Sequence, residues 1–295
     1  MSKIAHIKRR IKAVKNTKQI TKAMQLVAAS KMKRAQDKAV AGRAYSSLLA
    51  QMIQVAITHS ATPFQHPFMQ AREVKRRGVL VLSTDKGLCG ALNANLFRLL
   101  ASTPADTRFI SVGRKAKQFL SRSGRKLMAD FTVSDKVGYG EIRPMVELLV
   151  ESFLSGEVDS VEVAFPRFIN TMYQEPMMLP LLPIVDLESC LEKLKLKGDD
   201  QALVKSDDQR EMRFEPSLEH LLSELPMLFV RQQVYQFMLS TKASEHSARM
   251  VAMKSASDNA TQLMQSLTLK FNKARQAAIT QEILEIAAAT ASATR

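Results

Sequence analysis

The chain has 295 residues, 46% of them hydrophobic, and carries 43 Lys and Arg against 28 Asp and Glu. That balance excludes a disordered chain, and no apolar run reaches the roughly 18 residues that a membrane-crossing helix needs. Two cysteines, Cys89 and Cys190, exclude a disulfide framework or a thiolate metal cluster and fit reduced thiols in a cytosolic protein.

The first element is long. From Met1 to Ala41 there is no Gly or Pro, and after Gly42 the next breaker is Pro63. The spacing predicts a helix from about Ser2 to about Thr58, roughly 85 Å long at 1.5 Å per residue. Residues 1–45 hold 13 Lys and Arg and one acid, Asp37, so most of the chain's +15 charge sits there. A basic, acid-poor start is also the mark of a transit peptide, but the helical pattern runs on much further than such a peptide does. Ile4, Ile7, Ile11 and Val14 begin a heptad. A strict heptad then fails at Lys18 and Thr21, and the apolar face is expected to drift to Met24 and Val27.

The middle of the chain, about residues 74–215, alternates strand and helix. "GVLVLS" (78–83), "RFISVG" (108–113), "MADFTVS" (128–134), "SVEVAFPRFIN" (160–170) and "MMLPLLPIV" (177–185) read as strands, the last two with prolines that suggest sheet edges. "LCGALNANLFRLLAS" (88–102), "RKAKQFLSRSG" (114–124) and "EIRPMVELLVESFLSG" (141–156) read as helices, with Pro144 placed in a first turn. Alternation of this kind predicts a small α/β domain with mostly parallel strands. Residues 188–212 are charged and poorly periodic, which suits a surface loop or a weak helix.

No Gly follows Gly198 and no Pro follows Pro226. The pattern predicts a second helix from about Met227 to about Ala289, roughly 95 Å long. Met250, Met253, Ser257, Ala260, Met264, Leu267, Phe271, Ala274 and Ala278 follow alternating steps of three and four. That is a coiled-coil seam over about four heptads. Two helices of such length at opposite ends of one chain can pair antiparallel. The expected organisation is a helix over 1–60, an α/β domain over 74–215 and a partner helix over 218–290.

No catalytic motif stands out. "STDKGLCGALNAN" (83–95) lies at a strand-to-helix turn but lacks both phosphate-loop spacings, so Gly87 and Gly90 are expected to serve a tight turn and close helix packing. His6, His59, His66, His220 and His246 fall in no ligand spacing, and His59 and His66 are expected to be solvated. No cofactor, metal or catalytic residue is expected. Glu245 and Arg249 form an i, i+4 helix pair. The basic helix lacks aromatic interleaving and fits no DNA-binding module; it is not a basic leucine zipper, because Leu is nearly absent from residues 1–45. Its small residues Ala23, Ala28, Ala29 and Ser30 make a slim surface, suited to an acidic protein partner. A nucleic-acid-binding coiled coil and a nucleotide-binding enzyme with its site near Gly87 are the two rival readings.

"IKAVKNTKQITKAMQLVAASKM" (11–32), "ASEHSARMVAMKSASDNA" (243–260), "NKARQAAITQEILEI" (272–286), "STDKGLCGALNANLF" (83–97) and "FINTMYQ" (168–174) resemble the γ subunit of the rotary F-type ATP synthase, in order and over essentially the whole chain. "DKG" and "CGA" stand where that family usually has "DRG" and "CGG". The resemblance implies two terminal helices in an antiparallel coiled coil plus a small Rossmann-like α/β domain. It implies a non-catalytic central-stalk rotor that couples proton-driven rotation of a membrane ring to three catalytic β subunits. The implied partners are the α and β subunits, the ε subunit and the c-ring, with no nucleic acid. The chain would lie at the cytoplasmic face of a bacterial membrane, peripheral to it. By the same resemblance, Met24, Glu245, Arg249, Arg275, Gln276, Thr280 and Glu282 meet the ring of α and β subunits. Phe214 and Glu215 face the rotor ring or ε. A regulatory cysteine pair is not implied, since only Cys190 lies in that part of the chain.

Overall fold

A computed structural model of the chain describes residues 3–58, 66–70, 72–184, 215 and 217–293. Residues 188–212, Phe214, Cys190 and His59 lie outside them. The chain falls into two compact units, Met1–Ala28 with Met250–Arg295, and Ala29–Arg249.

Helix α1 runs Lys3–Thr58 and helix α5 runs Leu218–Ala293. The expected long terminal helices are therefore present and packed together. The second begins earlier than Met227, with Pro226 inside it. Ser217 Oγ accepts from the His220 amide at 3.2 Å and caps its start. Leu222 and Leu225 are buried, so packing holds the turns ahead of the proline.

In the first unit the heptads are visible as burial. On α5, from Gln262 to Ala287, only Met264, Leu267, Phe271, Ala274 and Ala278 are not exposed. On α1, from His6 to Ala23, only Ile7, Ile11, Val14, Lys18 and Thr21 are not exposed, and Gln25 and Ala28 continue the same steps. The expected drift to Val27 does not occur, for Val27 is 55% exposed while Thr21 is 8% and Ala28 2%. The seam passes through Lys18 and Thr21 because polar residues can occupy it. A lysine stem covers apolar surface while its head reaches water. Thr21 Oγ1 donates to the Lys18 carbonyl at 3.0 Å and is satisfied there.

The second unit is built on a five-stranded sheet of order β3-β2-β1-β4-β5. The strands are β1 (Arg77–Leu82), β2 (Arg108–Val112), β3 (Lys126–Phe131), β4 (Ser160–Phe168) and β5 (Gln174–Leu182). β1 pairs parallel with β2 and β4, β2 pairs parallel with β3, and β5 runs antiparallel to β4. Helices α2 (Leu92–Ala101) and α3 (Arg114–Arg122) cover one face. Val79, Val81 and Phe109 pack there against Leu96, Leu100, Ala116 and Leu120. Leu80, Leu82, Ile110 and Val163 point the other way, to α4 (Tyr139–Leu154) and the neighbouring stretches of α1 and α5. Burial on both faces explains why β1 reads as a continuous apolar run.

The prolines take different places from those expected. β5 is an edge, but β4 lies between β1 and β5. Pro166 is tolerated because the β4 register with β1 ends at Ala164. Pro144 is the sixth residue of α4, past the first turn.

Within this unit α1 and α5 run antiparallel. Gln232 Nε2 donates to Ser46 Oγ at 3.1 Å and to the Gly42 carbonyl at 3.3 Å. Further along, Ala35 packs with Ala243, so numbers fall on α1 as they rise on α5.

Candidate functional site

In an open α/β sheet, ligands bind beyond the carboxyl ends of the strands, where the strand order reverses. Here that place is the crevice beyond β1 and β4. Residues after β1 are turned inward. The first amides of α3 are taken by Asp85 Oδ1 (from Arg114, 3.1 Å), the Thr84 carbonyl (from Lys115, 3.1 Å) and Ser83 Oγ (from Ala116, 2.9 Å). A helix N-terminus that could hold an anion is thus satisfied by the chain itself.

Gly113, at the entry to α3, has φ 92° and is one glycine the fold requires. A Cβ there would stand 2.6 Å from the Ser83 carbonyl oxygen. Gly113→Ala is expected to cost about 1–3 kcal/mol or more of stability, read as a lower denaturant midpoint. An unchanged midpoint would contradict this packing. Gly90 (φ 58°) serves the turn as expected, but a Cβ at Gly87 or Gly90 would meet nothing within 4 Å, so close helix packing is not its reason. Ala91 has φ −85° and ψ 2°, open to any residue, so the alanine in "CGA" is accommodated.

Helix α5 fills the rest of the crevice with polar groups. Ser240 Oγ accepts from the Phe168 amide at 3.1 Å. Ser244 Oγ donates to the Pro166 carbonyl at 2.8 Å, and Ser247 Oγ to that of Thr171 at 2.7 Å. Lys242, Glu245 and His246 are each 3% exposed. Lys242 Nζ lies 3.5 Å from Glu245 Oε2 and 3.9 Å from both Asp85 Oδ2 and Asp135 Oδ1. Lys31 pairs with Asp135 from α1. Hydrogen bonding to Lys31 holds the Asp135 carboxyl below its usual range, with Lys242 helping.

Arg249 completes the cluster. Its Nη2 donates to Glu245 Oε1 at 2.8 Å, to the Gly87 carbonyl at 3.3 Å and to that of Lys86 at 3.4 Å. Its Nη1 lies 3.4 Å from His246 Nδ1. Burial pushes the His246 imidazole down to about 4, with Glu245 opposing the shift. The Cys89 thiol nearby is pushed up by burial.

The residues singled out by resemblance therefore fall into two settings. Glu245 and Arg249 are used inside the second unit. Met24, half-buried, and Arg275, Gln276, Thr280 and Glu282, all exposed, belong to the first unit. Thr280 Oγ1 donates back to the Gln276 carbonyl at 2.9 Å. Glu215 is exposed. His66 is not simply solvated: its Nδ1 accepts from the Phe68 amide at 3.1 Å, capping a 3-10 turn at Pro67–Met69. Sequence reasoning missed Lys31, Lys242, Asp85 and Asp135. A buried lysine on a helix looks like any other lysine until the loop it meets is known.

Charge divides between the units. The ranges of the first hold thirteen Lys and Arg against three Asp and Glu. Lys8, Arg9, Arg10, Lys12, Lys15 and Lys22 are all exposed. Among the described residues no helix is long and apolar enough to cross a membrane.

Comparison with known proteins places this arrangement. Residues 3–293 match the family model described as "ATP synthase". The chain is 50% identical over 289 residues to the "ATP synthase gamma chain" of Opitutus terrae, covering 98% of each. It is 40% identical over 302 residues to that of Cupriavidus necator, covering 99% of each. A chain of the Tetrahymena thermophila mitochondrial ATP synthase central stalk and c-ring matches with TM-score 0.57 and 25% identity, over 81% of this chain and 99% of that one. A chain of the Euglena gracilis rotor shares the fold, with TM-score 0.64 and 18% identity over 94% and 98%.

Proposed function

The chain belongs to the ATP synthase gamma-chain family, and from that premise we propose how it works. It is the non-catalytic central-stalk rotor of a proton-translocating ATP synthase. Its partners are the α and β subunits around it, the ε subunit and the membrane c-ring. It works at the cytoplasmic face of a bacterial membrane without crossing it.

The first unit carries this reading. Its two helices meet along one narrow seam of small and polar as well as apolar residues, Thr21, Ala28, Ser257 and Ala260 among them. Most of the remaining surface of both helices is exposed, and α1 up to Ala28 holds eight Lys and Arg with no acid. A rotor must break each contact and remake it on the next subunit. Exposed ion pairs suit that, since each is worth only about 0–1 kcal/mol. A deep hot spot worth several kcal/mol would hold the rotor in one position.

Met24, Arg275, Gln276, Thr280 and Glu282 are the proposed contacts with the α and β ring, with Phe214 and Glu215 toward ε or the c-ring. Arg275→Ala and Gln276→Ala are expected to lower ATP synthesis in assembled enzyme while the chain folds normally, because both side chains are exposed. Unchanged synthesis in both variants would remove that assignment. The whole reading is tested by purifying the tagged chain from its own cells. Recovery without α and β subunits and without ATPase activity would overturn it.

A further inference from the structure

Within the second unit, a hollow of about 270 Å³ lies between α1, β4 and α5. The work of a rotor gives it no task. We propose that it binds a small carboxylate with a short apolar body, of the medium-chain fatty-acid class.

The charge of its wall selects an anion. Arg43 of α1 and Arg167 of β4 both line it, and among its described lining residues there is no carboxylate. Burial holds the Arg167 guanidinium below its usual range; Glu175, its cross-strand neighbour, opposes that shift and Arg43 adds to it. The two cations thus act on one another, and an anion between them offsets their repulsion. A guanidinium carries five N–H donors in a planar fork. Arg167 can therefore serve Met177 Sδ, which it meets at 3.7 Å, and a carboxylate together. The fork matches the two oxygens of a carboxylate in shape as well as charge.

Gln236 is an independent sign of a missing acceptor. It lines the hollow and is 4% exposed, and its Nε2 is buried without a hydrogen-bond partner. A buried donor in that state is rare and costly. Gly42 lets the amide lie there, since a Cβ on Gly42 would collide with Gln236 Nε2. Ser240 Oγ, also in the wall, accepts from the Phe168 amide at 3.1 Å and keeps its own proton to donate.

The remaining walls set the rest of the ligand. Ala39, Val40, Phe168 and Ala243 offer no side-chain hydrogen bond to water or to a bare phosphate. The part of the ligand that meets them is apolar. The volume stands at the low end of small-molecule sites, enough for one short chain and too little for a two-chain lipid. Such a ligand touches α1, β4 and α5 together and ties both helices to the sheet.

The test titrates the full chain with sodium octanoate, octanol and inorganic phosphate, reading the urea midpoint and hydrogen exchange at residues 36–43. Octanoate is expected to raise the midpoint and slow the exchange. It is expected to bind about tenfold or more tighter than octanol or phosphate, the usual worth of hydrogen bonds to a charged group. Arg167→Gln and Gln236→Leu are expected to weaken octanoate by about the same factor and to leave octanol unchanged. Val40→Trp, at a position 56% exposed, is expected to fold, fill the hollow and abolish binding. No octanoate binding, or octanol or phosphate binding equally well, would overturn the proposal, as would unchanged binding in Val40→Trp. Should Arg167→Gln or Gln236→Leu fail to fold, Val40→Trp decides. In the assembled ATPase complex octanoate is expected to protect residues 36–43 as well. Protection in the chain alone and none in the complex would assign the hollow to an acidic side chain of a neighbouring subunit and overturn the small-ligand site.

Discussion

Replacing Glu245 by glutamine is expected to lower the stability of the chain by about 3–5 kcal/mol, the usual cost of removing one partner from a buried ion pair. The change keeps the shape and deletes one charge. Lys242 and Arg249 then remain buried with their shared carboxylate gone. Asp85 and Asp135 stand 3.9 Å from Lys242 and are themselves a quarter and nearly half exposed, so they make up little of the loss. The measurement is the urea midpoint of the purified chain. Removing the charges together reverses the sign of the argument: Lys242→Met with Glu245→Leu and Arg249→Leu is expected to recover most of the loss, since apolar groups of similar volume replace a buried ionic cluster at little cost. A Glu245→Gln chain as stable as the parent would mean that water reaches the cluster freely.

His246 makes the same cluster sensitive to acid. In the folded chain it titrates at about 4 instead of 6.5, because burial disfavours the imidazolium. Between those values the unfolded chain binds the proton and the folded chain does not. Stability is therefore complete above about pH 6.5 and falls as the pH drops toward 4, by about 3 kcal/mol for such a difference. Glu245 and Asp135 favour the charged ring, while Arg249 and Lys242 oppose it. Glu141 and Asp135, both held below their usual values, add their own loss at lower pH. The expected result is a denaturant midpoint that falls from pH 6.5 to 4.5, and a flatter profile in His246→Gln. Equal slopes in the two chains would show that His246 is not the group responsible.

Much of the fold was legible because it rests on punctuation and period. Forty-one residues without Gly or Pro announce α1, and every residue of the α5 seam from Met250 to Ala278 is buried or half-buried, as its spacing implies. The strands of the α/β unit were equally plain. What the sequence concealed were places where a polar group does an apolar group's work. Lys18 and Thr21 look like a break in the heptad, yet they lie on the seam. Pro226 looks like a boundary, yet buried leucines and a Ser217 cap carry the helix across it. The site was harder still. Exposed Arg275 and Gln276 need no structure to be noticed. The cluster around Lys242 joins α1, α5 and two loops, and no spacing within one segment encodes a contact between residues 135 and 242.

The first unit is assembled from both ends of the chain, and that fixes when it can form. Residues 29–249 are synthesised between its two halves. At about 5–20 residues per second, the N-terminal half waits on the order of 10–40 s for its mate. During that time a ribosome carries a helix whose seam is bare. An uninterrupted stripe of Leu and Ile would aggregate in the interval. A seam with Lys18, Thr21, Gln25 and Ala28, surrounded by like charges that repel their copies on neighbouring ribosomes, is soluble while it waits. The same residues that weaken the heptad on paper make late pairing survivable in the cell.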